Sequence, residues 1–152
     1  MKYIITIFLL ITIINNSKAN IIDDLLPIIS EAESTNRDWV ISRDGGYGRY
    51  QITAPVLADY NINNKTNYML MDMLFPQESE LVVRWYLDWL NNYLTKYGYK
   101  DDNIRILVAY NWGIGNFRKY NFKIPSFFIL HRNKVYRNFC QTEIRKRWER
   151  EK

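Results

Sequence analysis

Residues 33–52 read ESTNRDWVISRDGGYGRYQI, and the chain changes character at the first two of them. Upstream, Ile22, Leu25, Leu26, Ile29 and Ala32 recur at the spacing of one helical face, with Asp23 or Asp24 as N-cap and Pro27 tolerated in the first turn. Downstream, from Asn36 to Gly48, the composition turns to Asn, Asp, Ser and three glycines, which is loop chemistry. Glu33 therefore stands where a helix meets a loop. Gly45, Gly46 and Gly48 permit positive φ and let backbone approach a ligand closely. With Glu33 before it and Gln51 behind it, the loop reads as the lining of a ligand site rather than a plain turn.

The rest of the chain supplies helices around this segment. A short helix is expected after Thr53, with Pro55 in its first turn, running towards Tyr60; Asn61 to Asn67 reads as polar loop. The longest helix is expected from Pro76 to Tyr97. There Leu81, Trp85, Trp89, Tyr93 and Tyr97 recur every fourth residue beside Val82, Tyr86, Leu90 and Leu94, and Gly98 follows as a stop. Asp101 or Asp102 caps the next helix, on which Ile104, Leu107, Val108 and Asn111 share a face before Gly113 and Gly115. Tyr110 and Asn111 then lie on its last turn. A final helix is expected from Asn133 to Trp148 on the spacing of Val135, Tyr136, Phe139, Cys140, Ile144 and Trp148. No strand-like alternation of similar length occurs, nor any internal repeat or low-complexity tract. The fold expected is mainly α, in one domain.

Glu33-Ser34, then Ser42-x-x-Gly45-x-x-Gly48-x-x-Gln51-Ile52, then Ala109-Tyr110-Asn111-Trp112-Gly113 form a series whose order and intervals are informative together. It resembles the lysozyme-like lytic transglycosylases of the SLT type, which cut peptidoglycan, over roughly residues 22 to 140. The resemblance implies a lysozyme-like domain that cleaves the β-1,4 bond between N-acetylmuramic acid and N-acetylglucosamine and leaves a 1,6-anhydro-muramic acid end. It implies Glu33 as the catalytic acid and base, with Ser42, Gln51, Tyr110 and Asn111 lining or supporting the substrate cleft. Tyr110 and Gln51 would position the acid and the sugar's acetamido group. The chain departs from the family pattern at Trp112, where Ala is usual, and at Arg49-Tyr50, where Leu-Met is usual. Among five Trp and twelve Tyr, core packing is the expected role of Trp112, with stacking on a pyranose as the other. Arg49 either meets an acidic group of the substrate or is solvated.

The chemistry asks for few residues. A glycosidic oxygen is a poor leaving group and needs a carboxylic acid that can donate to it. Glu31 competes with Glu33, but residues two apart on a helix point about 200° apart, so only one of them faces a given cleft. Only Glu33 has the intervals to Ser42 and Gln51 that the family pattern requires. The transglycosylase scheme needs no second carboxylate, because the muramyl C6 hydroxyl is held within the same sugar. Two rivals stand: a hydrolysing, goose-type-like lysozyme, in which Asp44 or Asp38 would position water, and a non-catalytic wall-binding component of a secretion or phage apparatus.

Length and composition set outer bounds. The 152 residues, 47% of them hydrophobic, suffice for one ordinary core. Residues 1–19 read as a signal peptide: Lys2, an apolar run from Tyr3 to Ile14, then Ser17-x-Ala19. That run is shorter than the ~20 residues of a membrane-spanning helix, so cleavage near Ala19 is expected and a domain from 20 to 152 exported to the periplasm or cell wall. Loss of Lys2 and Lys18, with no acid, takes the net charge from +5 to +3. The basic C-terminal cluster Arg145-Lys146-Arg147 is interleaved with Glu143, Glu149 and Glu151 and reads as a solvated helix, not a nucleic-acid site. One His and one Cys make no ordinary zinc site, and His131 and Cys140 do not form a nucleophile pair. No metal or cofactor is expected, and Cys140 is expected in the core. The expected partner is the peptidoglycan strand, met by a monomer, with a secretion, conjugation or phage apparatus as the wider setting.

Overall fold

Two apolar rows run along the longest helix, and packing selects between them. In the computed structural model, which describes residues 21–129 and 133–150, this helix is α3 (Pro76–Thr95). The row it buries is Val82, Val83, Leu87, Leu90 and Leu94, together with Ser79 and Asn91. The every-fourth row expected from sequence faces outward in part: Leu81 is 52% exposed, Trp89 37% and Tyr97 44%. Aromatic and aliphatic residues occupy both rows, so periodicity alone does not choose between them; shape against the neighbouring helices does.

Around α3 the order is α1 (residues 21–34), α2 (Ala54–Asn64), a 3₁₀ turn (Leu70–Leu74), α3, α4 (Asn103–Trp112), α5 (Ile114–Lys119), α6 (Ser126–Ile129) and α7 (Lys134–Arg150). Helix α3 packs on α2, the 3₁₀ turn and α4; α4 packs on α5 and α7; and α6 packs on α7. The core draws on every one of these elements, from Leu25 and Ile29 of α1 to Tyr136 and Cys140 of α7. The only extended pairing among the described residues is two isolated antiparallel bridges, Ile41 with Tyr47 and Tyr47 with Ile52. The architecture is mainly α, in one domain. No helix of the described residues is long and apolar enough to cross a membrane.

Several expected boundaries shift for local reasons. Helix α1 is already under way at residue 21, so Asp23 and Asp24 are not its cap; Asp23 instead meets Arg84 of α3 at 2.7 Å. Helix α2 continues past Tyr60 through Asn64, because Asn63 and Asn64 turn their amides back onto the carbonyls of Asp59 and Tyr60. Lys65 then ends it in the left-handed region, at φ 55°. Gly113, at φ 84°, both closes α4 and serves as N-cap of α5, a helix too short for periodicity to announce. The expected signal segment, His131 and Glu151 lie outside the described residues.

Asp102 caps α4 by accepting from the Arg105 N–H at 3.0 Å, and the same carboxylate takes Arg147 of α7 at 2.6 Å and Arg105 at 2.5 Å. Burial opposes its charge, but the hydrogen bonds from Arg147 and Arg105 outweigh burial and hold the carboxyl below the usual aspartate range. Its contribution to stability is complete above the unfolded value of about 4 and is lost as pH falls through the lower folded one. Asp102→Asn is therefore expected to cost about 2 kcal/mol at neutral pH. In urea titrations the gap between variant and parent should close in acid; a gap independent of pH would refute the charge assignment.

Candidate active site

The end of α1 is set by short-range hydrogen bonds. The Ser34 hydroxyl donates to the Ser30 carbonyl at 3.2 Å and accepts from the Arg37 N–H at 3.0 Å. Thr35 and Asn36 then adopt φ of 56° and 59°, and the Asn36 N–H reaches back to the Ser30 carbonyl at 3.1 Å, a left-handed helix stop. The Asn36 amide also donates to the Glu31 carboxylate at 2.5 Å. Glu31 is thereby tied to the helix end, while Glu33, half-buried, points into the cleft.

The loop that follows is fastened to itself. The Ser42 N–H donates to the Gly46 carbonyl at 2.9 Å, and the Ser42 hydroxyl accepts from the Gly46 N–H at 2.9 Å. Tyr47 and Ile52 exchange both backbone hydrogen bonds at 2.9 Å. Gln51, itself at φ 53°, donates its amide to the carbonyls of Gly48 at 2.9 Å and Val40 at 3.3 Å. Gly48, at φ 74°, lies so close to the 3₁₀ turn that a Cβ built on it would stand 1.8 Å from the Met73 carbonyl oxygen. Arg49 does not face the cleft: it forks onto Asp38 at 2.7 and 3.1 Å.

Glu33, Ser42, Gln51, Tyr110 and Asn111 line one cleft of about 370 Å³, with Asp44, Gly46 and Thr53 completing it. The Asn111 amide lies 3.5 Å from Glu33 Oε1. Tyr110 reaches a different partner: its hydroxyl donates to the Tyr50 carbonyl at 2.5 Å and holds the loop to α4. Gln51 and Tyr110 thus spend their donors on backbone. A second hydrogen bond to Glu33 comes from a residue outside the motifs, Tyr136 of α7, whose hydroxyl donates to Oε1 at 2.5 Å. Burial first, and the negative charge of Glu33 second, push both the Tyr110 and the Tyr136 phenols well up, so both remain donors at neutral pH. Among the described residues no three His, Cys, Asp or Glu side chains converge as a metal site. Cys140 is fully buried, its thiol pushed up by burial to about 11.

The family model described as the Transglycosylase SLT domain matches residues 11–126 of this chain. The chain belongs to that family. Searches of curated proteins and of solved structures gave no match. SLT domains are peptidoglycan lytic transglycosylases, and the matched span contains the Glu33, Gln51 and Tyr110-Asn111 segments that meet in the cleft. Tyr136 lies beyond the SLT match and sits on a helix that reads as plain core. A buried tyrosine must find a partner for its hydroxyl, and that requirement is the sequence signal that marks it.

Tyr136→Phe is expected to lower kcat about 10-fold with little change in KM, because the ring keeps its packing and only the donor to Glu33 is lost. Turnover of purified peptidoglycan at several concentrations separates the two constants; a change confined to KM would assign Tyr136 to substrate contact instead.

Proposed function

We propose that this SLT domain is a lytic transglycosylase in which Glu33 acts twice on the muramyl–glucosaminyl bond. The carboxylic acid first gives its proton to the leaving oxygen as the C1–O4 bond breaks. The resulting carboxylate then takes the proton of the C6 hydroxyl as O6 bonds to C1, so no water is consumed. The observation that carries this reading is the placement of Glu33 alone among the α1 acids in the cleft, held there by Tyr136 and near Asn111.

A second reading rests on Asp44. Of the two acids that a hydrolytic lysozyme could use, Asp38 is engaged by Arg49, whereas Asp44 lines the same cleft as Glu33. The product decides. Mass spectrometry of a wall digest should show muropeptides lighter by one water than hydrolytic ones; reducing muramic acid as main product, together with inactivation by Asp44→Asn, would establish the lysozyme. The proposal includes a signal peptide over 1–19, a domain over 20–152 acting as a monomer at the periplasmic face or wall, and Ser42, Gln51, Tyr110 and Asn111 as substrate-cleft residues. Of these, Gln51 and Tyr110 hold the cleft wall, and Ser42 and Asn111 offer polar groups to the sugar. A secretion, conjugation or phage apparatus is the proposed setting for such localised wall opening.

A further inference from the structure

Several carbonyls at the end of α1 find donors close by in the chain. The Ser30 carbonyl takes the Asn36 N–H at 3.1 Å, the Glu31 carbonyl takes the Thr35 N–H at 3.1 Å, and the Ser34 carbonyl takes Arg37 Nε at 2.9 Å. A helix leaves its final carbonyls without intrahelical donors, and that of Ala32 is one of them. It is met from 101 positions away by the Asn133 amide, at 2.7 Å. The other side of the same amide starts α7: Asn133 Oδ1 accepts from the Val135 N–H at 2.9 Å, and the Asn133 carbonyl takes the Arg137 N–H at 3.2 Å. Asn133 is thus the N-cap of α7. Within the first turn that follows, Tyr136 donates to Glu33, the residue next to Ala32.

We propose that Asn133 is a positioning residue, which sets the approach of the Tyr136 hydroxyl to Glu33 by joining the start of α7 to the end of α1. This rests on the function proposed above, in which Glu33 is the acid, and deepens it. An amide is planar and carries its acceptor and its donors on one carbon, so a single side chain fixes the first turn of α7 against a carbonyl of α1. The two bonds run side by side. Neighbouring residues of α1, Ala32 and Glu33, accept from two residues at the start of α7 that lie within one turn of each other. Helix α7 is also held at Arg147, but that contact lies about three turns past Tyr136, roughly 16 Å along the axis. At that range a small roll or slide of the first turn goes uncorrected, and the phenol moves with it. Packing of the Tyr136 ring on Phe128 is non-directional, so the alignment on which the Tyr136–Glu33 bond depends falls to Asn133.

The test uses the full chain carrying Asn133→Ser. A serine oxygen can still cap α7, but the side chain is shorter and has no amide to reach Ala32. Arg147 on Asp102 and the buried Tyr136 and Cys140 keep α7 docked in this variant. Turnover of purified peptidoglycan should show kcat lowered about 5-fold with KM unchanged. In a Tyr136→Phe background the same substitution should lower kcat no further, because the bond it positions is already gone. Full additivity of the two losses, or an effect on KM alone, would overturn the proposal. A second readout needs no catalysis. With 3-fluorotyrosine incorporated, the fluorine resonance of Tyr136, assigned by its absence in Tyr136→Phe, should move when Glu33→Gln removes the carboxylate beside the hydroxyl. It should move much less when Asn133→Ser is also present; an equal displacement in both backgrounds would overturn the proposal as well. Failure here leaves Glu33-dependent cleavage intact. Failure of the proposed function, seen as wall cleavage unaffected by Glu33→Gln, leaves the fluorine readout intact.

Discussion

Glu33→Gln should reduce wall-degrading activity by about 10² to 10⁴-fold, the range of a general acid–base contribution. The amide keeps the size and polarity of the side chain and can still accept from Tyr136, so the cleft and its hydrogen bonds are retained. What disappears is the transferable proton and, with it, the base for the second step. Glu31→Gln is the matched control on the same helix: its carboxylate is held by Asn36 at the helix end and does not line the cleft. Turbidity loss of purified peptidoglycan, with circular dichroism to confirm folding, measures both. Undiminished activity in Glu33→Gln would discard transglycosylase and lysozyme alike.

Gly48→Ala should destabilise the domain by at least about 3 kcal/mol, a large share of the 5–15 kcal/mol that holds a typical domain. Two penalties coincide. The backbone is at φ 74°, and the new Cβ would stand 1.8 Å from the Met73 carbonyl oxygen, a backbone atom that cannot swing aside. Relief requires the loop to lift from the 3₁₀ turn, which would carry Ser42 and Gln51 out of register with Glu33. Gly45→Ala separates the two effects: its φ is 81°, but a Cβ there meets nothing within 4 Å. It should cost about 1 kcal/mol from conformation alone. Thermal unfolding of both variants is the measurement; equal losses would show that the Met73 contact is unimportant.

Much of this site was legible because its signals are local. Glycines that need positive φ, a helix that stops at Glu33-Ser34, and Asn111 on a last helical turn are all properties of neighbouring residues. The parts that escaped are those decided across space. Leu81 and Leu87 are chemically alike, and only the neighbouring helices make one exposed and the other buried. Gln51 and Tyr110 line the cleft as expected, but the backbone carbonyls that take their protons, Gly48 and Tyr50, are not named by any sequence pattern. Trp112 was expected in packing and does pack, but it also borders a second lobe of the cleft. The 3₁₀ turn, α5 and α6 are shorter than a pattern of period 3.6 can reveal.

The hydrogen bond between Tyr136 and Glu33 joins residues 103 positions apart. A chain that emerges N-terminus first presents Glu33 early, together with all three motifs, and delivers its phenol only with the last helix. The same helix is fastened to the rest of the domain by Arg147 on Asp102 and by Asn133, just before it, on the Ala32 carbonyl. The three motifs thus lie towards one end of the chain and draw a hydrogen bond from the other, so a chain cut before α7 would keep every motif and lose the Tyr136 contact to Glu33.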